Sequence, residues 1–542
     1  MISKADQQLA FENLYKRLNE AQKKAVDTIE GPVMVIAGPG TGKTQILGAR
    51  IGKILLETDT APESILCLTY TDAGAIAMRK RLMDFIGTAA YKVTIATFHS
   101  FCNDIIQDNL SLFEKPSLDP ISELEKIALL KELIDQFDKT NPLKRFKGDV
   151  YYEMTNLSKL FSTMKKEGWD VSFLTEQIDQ YIQTIPFRDE FVYQRKYKQF
   201  EAGALKQGLV DDALEKMGKL KAAVAAFDEY QGLMKKHGRY DFDDMINWVI
   251  RAFKENKNLL AQYQERYLYI LVDEFQDTSG TQNELVQLLT NYWEQPNLFV
   301  VGDDDQSIFR FQGANVENML HFQTQFKEDI VNIVLEQNYR STQPILDAST
   351  QVINQNQERL INKIGGLSKN LIASLPENQS IDIAPSILQY NDPQEEMIDI
   401  TEKIAKLIDS GTEPKEIAVL YKEHKYGTEI AHFLQQKNIP IYSRRTANLF
   451  DQILIQQILK ILDYLACEWD QPNEGANLLF EILHFKWWQI SPITIAMLTV
   501  EANQLKYNAK ENSFRKVLID KTQEVQTDLF SKGGLEQVAK AV

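Results

Sequence analysis

The sequence predicts an α/β fold built on a parallel sheet, and three observations predict it. Short apolar runs alternate with helical patterns along residues 33–102 and again along 240–340, as when crossover helices join parallel strands. The first run, 33–36, opens into Ala37-Gly38-Pro39-Gly40-Thr41-Gly42-Lys43-Thr44 and then a helical pattern through Ile46, Leu47 and Ile51. That order is the context a phosphate-binding loop requires. A later run, 268–272, ends in the adjacent carboxylates Asp273 and Glu274, poorly placed for packing and well placed for chemistry.

Bulk properties bound the rest. A chain of 542 residues is too long for one hydrophobic core. Its 44% hydrophobic and 25% charged residues are ordinary for a globular protein. No apolar run approaches the ~20 residues needed to span a membrane, and the N-terminus lacks an apolar signal segment. The cysteines Cys67, Cys102 and Cys467 are odd in number and scattered. They suggest free thiols in a reducing cytoplasm, with no zinc spacing. The net charge of −16 argues weakly against a nonspecific nucleic-acid binder but leaves room for a local basic groove.

Taken in order, residues 1–30 read as amphipathic helix, with Asn19 as an N-cap. Gln22 lies near enough to return to a nucleotide, and its amide suits an adenine edge; taken alone it reads as a solvated helix residue. In the glycine-rich loop, backbone N–H groups turn inward around an anion and a helix N-terminus adds partial positive charge. Lys43 suits the β- and γ-phosphates and Thr44 a Mg²⁺ ion. Ala37 stands where the motif begins with glycine. A second strand, 65–69, runs into Tyr70-Thr71-Asp72 and a helix carrying Arg79-Lys80-Arg81. A third, 93–97, runs into Phe98-His99-Ser100. Both ends place a hydroxyl beside an aromatic: Thr69, Tyr70 and Thr71, then Thr97, Phe98 and His99. Hydroxyls suit phosphate oxygens and aromatic faces suit unstacked bases; core aromatics with helix N-caps are the structural alternative.

Residues 103–232 break the alternation with polar, charged helices punctuated by Pro116, Pro120, Pro142 and Pro186. They read as a helical insertion whose basic patches (Lys165-Lys166; Arg195-Lys196 with Lys198) suit either a phosphate backbone or plain solvent. The sheet resumes near 240. After 268–272, Asp273 suits a metal-bound water and Glu274 the attacking water. The strand 298–301 leads to Gly302-Asp303-Asp304-Asp305-Gln306, with Phe309 and Phe311 nearby as stacking candidates. Gln306 is placed to sense a γ-phosphate. The triple aspartate matches no Ca²⁺ loop and reads as structural or as support for the neighbouring metal. The strand 330–335 ends before Gln337-Asn338-Tyr339-Arg340-Ser341, where Tyr339 suits stacking and Arg340 a transferring phosphoryl group. A second α/β segment follows, with strands expected at 387–390, 416–421 and 440–443. From about 449 the chain turns helical, with an apolar stripe through Ile453, Ile455, Ile458, Leu459, Leu462 and Leu465.

Gln22, 37–44, 69–81, 97–100, 273–278, 302–313 and 337–341 occur in the order and character of one family. Together they resemble a superfamily 1 DNA helicase of the UvrD/PcrA/Rep type; VDEFQDT, VGDDDQSIFRFQGA and LEQNYRS are specific as a set. The resemblance implies a RecA-like domain 1 over 1–102 and 233–337, a helical insertion over 103–232, an incomplete RecA-like domain 2 over 338–448 and the start of a second insertion over 449–542. It implies ATP with Mg²⁺, the ion on Thr44 and Asp273, and nucleotide contacts from Gln22, 37–44, Gln45, Tyr339 and Arg340. Lys43, Glu274, Gln306 and Arg340 fall at catalytic positions. Thr69, Tyr70, Thr71, Phe98, His99, Phe309 and Phe311 fall where the family contacts single-stranded DNA.

The implied activity is 3′ to 5′ translocation on single strands and unwinding at duplex junctions, in DNA repair or replication, in the cytoplasm and away from membranes. Two alternatives stay open: the helicase subunit of a recombination helicase-nuclease, and a non-hydrolysing module that binds ATP or single-stranded DNA. Gln45 replaces a usual arginine, and Phe311-Gln312 a usual Trp-Arg pair. Neither the family's T-x-H-x-x-K-G-L-E motif nor its final arginine motif is found, so the sequence leads one to expect the N-terminal portion of a longer helicase, hydrolysing ATP weakly or not at all by itself.

Overall fold

Strand β1, Val33–Ala37, is buried along its whole length. Val33, Val35 and Ala37 face one hydrophobic core, and Met34 and Ile36 face another. A strand apolar on both sides belongs inside a parallel sheet covered by helices on each face. The computed structural model contains that sheet. Its other strands are β2 (Ile65–Thr69), β3 (Thr94–Thr97), β4 (Tyr269–Val272), β5 (Leu298–Gly302) and β6 (Val331–Leu335). They lie in the order β3-β2-β4-β5-β1-β6 and all pair in parallel. All six sit where the sequence predicts them, to within a residue at each end. The structure describes residues 4–113, 119–145, 147–196, 200–307, 317–365, 367–443, 449–472, 474–508 and 514–527.

Helix Lys43–Glu57 buries Ile46, Leu47, Ile51 and Ile54 against one face of the sheet. Arg50 is buried on the same helix. Its guanidinium sits 4.4 Å over the Phe299 ring and donates to the carbonyls of Ala25, Thr28 and Ile29. Those carbonyls close the end of helix Glu20–Asp27, so Arg50 fixes the helix that carries Gln22. Burial lowers the Arg50 pKa to about 9.

The helical insertion has its own core. Helices Glu123–Gln136, Met154–Glu167, Val171–Thr184 and Gln207–Lys236 pack around Leu130, Leu133, Phe161, Val224 and Tyr230. The expected 103–232 boundary shifts at both ends. Helix Phe98–Asp108 puts Phe101, Cys102, Ile105 and Ile106 into the sheet core, and the last insertion helix runs on to Lys236. Apolar periodicity marks helices but not the core they face, so sequence alone could not draw this line.

Contacts divide the chain into two units, Met1–Ser386 and Ile387–Val542. In the second, helices Pro393–Asp409 and His424–Gln436 bury Met397, Ile404, Ile430 and Leu434. The strands expected at 387–390, 416–421 and 440–443 do not form among the described residues. Ile417, Val419 and Ile439 pack against that core by side chain, while Ile387 is 98% and Leu420 95% exposed. Extended backbone becomes a strand only when a neighbour supplies ladder hydrogen bonds, and apolar alternation cannot report the neighbour. Ile453, Leu454, Leu462 and Leu465 on helix Ile453–Asp470 are exposed. No helix among the described residues is long and apolar enough to cross a membrane.

Within the first unit the insertion is fastened to the sheet domain by buried charge. Lys165 donates to Asp241 at 2.6 Å and to Asp244 at 2.9 Å, and its carbonyl accepts from Asn247 Nδ2 at 2.9 Å. Beside it, Thr281 Oγ1 donates to the Lys166 carbonyl at 2.8 Å. Lys165→Met would leave buried Asp244 and half-buried Asp241 without their cation, which costs up to about 3–5 kcal/mol. The substitution is expected to lower the urea midpoint of the first unit; an unchanged midpoint would show that this pair does not hold the seam.

Candidate functional site

Parallel pairing brings the carboxyl ends of β1, β4, β5 and β6 to one edge of the sheet, where such sheets bind ligands. Beyond β1, Gly40 and Gly42 take φ of +71° and +90°, the left-handed region that glycine enters without steric cost. Thr41 Oγ1 closes the turn on the Gly38 carbonyl at 2.8 Å. Helix Lys43–Glu57 begins with no side-chain cap, so its first N–H groups face the loop, as an anion-binding N-terminus requires. Ala37 is buried as the last residue of β1, and the small side chain is accommodated there.

Beyond β4, Glu274 adopts φ +49°, an uncommon and strained conformation for a non-glycine residue. It aims the carboxylate back across the sheet, where Lys43 Nζ donates to Glu274 Oε2 at 2.7 Å. Asp273 accepts the Glu274 N–H at 3.0 Å. Burial, then the neighbouring Glu274, push the Asp273 pKa up to about 7, and the same two causes push Asp277 up to about 6. Among the described residues, Lys43 is the cation whose charge opposes both shifts. A carboxylate at Asp273 and a hydroxyl at Thr44 are oxygen donors of the kind a hard divalent cation takes.

Beyond β5, Asp303 accepts from Gln306 Nε2. The triple aspartate is structural. Lys369, itself buried, donates to Asp303, to Asp304 at 3.1 Å and to Asp305 at 2.8 Å. Arg359 grips Asp305 with two bonds, at 2.7 and 2.8 Å. Against the opposing effect of burial, Arg359 and Lys369 hold Asp305 below the usual carboxylate range. The cation this cluster needs is supplied by the chain itself.

Beyond β6, the turn 338–341 is tied to the glycine-rich loop. Buried Asn338 donates to the Pro39 carbonyl and accepts from the N–H groups of Arg340 and Ser341 at 2.8 and 2.7 Å. The Tyr339 N–H donates to the Gly40 carbonyl at 2.9 Å. The Tyr339 hydroxyl accepts from Asn19 Nδ2 at 2.9 Å and donates to Gln337 at 2.7 Å. Gln22 is buried, not solvated: Nε2 donates to the Thr41 carbonyl at 2.8 Å and Oε1 accepts the Asn19 N–H at 3.1 Å. One N–H and one lone pair of its amide remain for a ligand. Gln45 is half-buried close to Gly42.

The residues expected to touch DNA divide. Tyr70, 37% exposed, lines a cavity of about 220 Å³ with Phe98, His99, Lys166, Asp243 and Asp277. His99 Nε2 lies 3.6 Å from Asp243 Oδ1. Phe98 is only 2% exposed and belongs to the sheet core, although it also lines this cavity. Thr69 is buried and donates to the Thr71 carbonyl at 3.1 Å. Thr71 and Thr97 cap the helices that follow them, the structural alternative for these hydroxyls. Phe309 and Phe311 lie outside the described residues.

Sequence reasoning missed Gln276, Asn338, Arg359 and Lys369. Two of them stand inside the motif strings themselves, yet single residue types gave no sign of their partners. Gly40→Ala would place a Cβ 2.6 Å from Arg340 Cβ as well as force a left-handed alanine. It is expected to destabilise the first unit by about 1–3 kcal/mol, read from its denaturation midpoint; a neutral effect would show that loop and turn are not in contact.

The family model described as the UvrD/REP helicase N-terminal domain matches residues 18–327. The UvrD-like helicase C-terminal domain matches residues 333–522. Both domains are therefore represented, and these matches give no support to the expectation of an N-terminal portion alone. YjcD of Bacillus subtilis (strain 168) is 29% identical over 519 residues, 94% of this chain and 59% of YjcD. The ATP-dependent DNA helicase PcrA of Staphylococcus epidermidis is 29% identical over 84% of this chain and 54% of PcrA. PcrA of Staphylococcus aureus gives the same identity and coverage. The chain thus spans somewhat over half the length of these relatives.

Proposed function

Since the chain belongs to the UvrD/REP helicase family, we propose that it is an ATP-dependent DNA helicase that hydrolyses ATP at the carboxyl edge of the sheet and moves 3′ to 5′ on single-stranded DNA in repair or replication. One observation carries the reading: Lys43, Glu274 and Gln306 are joined by a direct contact and a short hydrogen-bond chain through Gln276 and Asp303, and the main chain of Arg340 is tied through Asn338 to the glycine-rich loop. The direction and the biological setting rest on the family resemblance.

In this reading the N–H groups of 38–44 wrap the phosphates, and Lys43 exchanges Glu274 for a phosphate oxygen. Freed of that pair, the Glu274 carboxylate orients and deprotonates the attacking water. The water oxygen bonds to the γ-phosphorus as the bond to the ADP oxygen breaks, and Arg340, pinned beside Gly40, offsets the developing charge. Tyr339 stacks on adenine, and the remaining capacity of the Gln22 amide reads its edge. Gln45 contributes no guanidinium there, so stacking rests on Tyr339. Thr44 and Asp273 would hold Mg²⁺, which would supply Lewis-acid polarisation of the phosphates. Gln306 senses the γ-phosphate from the β5 loop. Single-stranded DNA and its junctions with duplex are the partners, engaged through Tyr70, His99 and the Lys166 ammonium beside them.

Lys43→Ala is expected to lower ATP turnover in the presence of single-stranded DNA by at least about 100-fold. Undiminished turnover would defeat the assignment. Glu274→Gln is expected to keep ATP affinity while kcat falls by about 10²–10⁴. Equal turnover would show that Glu274 does not activate water.

A further inference from the structure

Gln276 is a buried side chain whose amide is engaged at both ends. Nε2 donates to Glu274 Oε2 at 2.9 Å and to Asp277 Oδ2 at 3.3 Å. Oε1 accepts the Asp303 N–H at 2.9 Å, which fixes which end of the amide is nitrogen. The Gln276 carbonyl accepts from Ser307 Oγ at 3.4 Å. Strand β5 leaves room for this amide by ending in glycine: a Cβ on Gly302 would stand 2.7 Å from Gln276 Oε1. One residue therefore touches the loop after β4 and the loop after β5.

It also reaches the cavity that holds Tyr70 and His99, because Asp277 lines that cavity. Asp277 Oδ1 is buried without a hydrogen-bond partner, and a buried acceptor left unsatisfied is costly. A donor that reached this oxygen from the cavity side would relieve that cost and pull on the Asp277 carboxylate. On the opposite side, Glu274 is held by Lys43 at 2.7 Å. A bound triphosphate competes for this lysine. Once the ammonium turns to phosphate, Gln276 remains to aim the Glu274 carboxylate.

We propose that Gln276 is a positioning residue that links occupancy of the Tyr70–His99 cavity to the aim of Glu274, so that single-stranded DNA speeds hydrolysis through this amide. The amide is a rigid plane, and a shift of Asp277 or Asp303 at one side moves the donor that faces Glu274. The two states are those of Glu274, shared with Lys43 or held by Gln276 alone, and both ligands bias that equilibrium. This inference rests on the proposed ATP hydrolysis.

The test is steady-state ATP turnover with and without oligo(dT). In Gln276→Met, which keeps the bulk and loses both bonds, KM for ATP stays within about threefold of wild type. The kcat with oligo(dT) falls about 10- to 100-fold, and the ratio of stimulated to unstimulated turnover approaches one. Gln276→Glu keeps an acceptor for the Asp303 N–H but cannot donate as a carboxylate to Glu274. It is expected to lose the ratio as well, whereas a simple spacer would be rescued by this isostere. Gly302→Ala displaces the amide while leaving Gln276 in place, and the same loss is expected. Should Gln276→Met fail to fold, the other two variants decide. A wild-type stimulation ratio in the folded variants overturns the inference and leaves the proposed function standing, as does wild-type turnover indifferent to oligo(dT). Absence of any ATP turnover in the wild-type chain overturns the proposed function itself.

Discussion

Parallel pairing of β1 with β5 and β6 is the constraint on which the site depends. The register sets Ile36 beside Gly302, Ala37 beside Leu335 and, through β4, Val272 beside Val300. Gly38, Asp303 and Glu336 therefore leave the sheet at nearly one level, and Asp273 leaves it two residues earlier, beside Val301, although more than 200 residues separate Gly38 from Asp273. Because side chains alternate between two cores, a one-residue slip of β1 would exchange its faces and carry Lys43 away from Glu274. The apolar content of the strands, which looks like plain stability, thus sets the geometry of the polar loops.

Charge is handled in two ways at this edge. Asp303, Asp304 and Asp305 are closed off by Lys369 and Arg359, and the result is a clasp between the β5 loop and the chain at 359–369. Asp273, Glu274 and Asp277 have Lys43 as their nearby cation. A buried anion short of positive charge raises its pKa or acquires a cation. The first cluster holds structure, and the second is left able to respond to what binds. Asn338 adds a fixed element, since it joins the Tyr339-Arg340 turn to Pro39.

Much of this was legible in the sequence because strand, loop and helix each follow from local patterns. The six strands, the glycine-rich turn and the carboxylates after β4 were all readable. What was not readable depends on contact between distant segments. Nothing in Asp303-Asp304-Asp305 announces Lys369, and nothing in Gln22 announces the Thr41 carbonyl that buries it. Phe98 beside the Thr97 hydroxyl suited an unstacked base as well as the core, and only the packing of helix Phe98–Asp108 shows that its ring joins the sheet core. The segments at 387–390, 416–421 and 440–443 have strand-like patterns, yet no pattern supplies the neighbour that a ladder needs.

The central claim is that separate pieces of chain face one triphosphate. Amide hydrogen exchange with and without a non-hydrolysable ATP analogue and Mg²⁺ tests it most directly. Protection is expected to rise together in 37–44, 273–277, 303–307 and 338–341. Protection confined to 37–44, with the other three segments exchanging as in the free protein, would contradict the account.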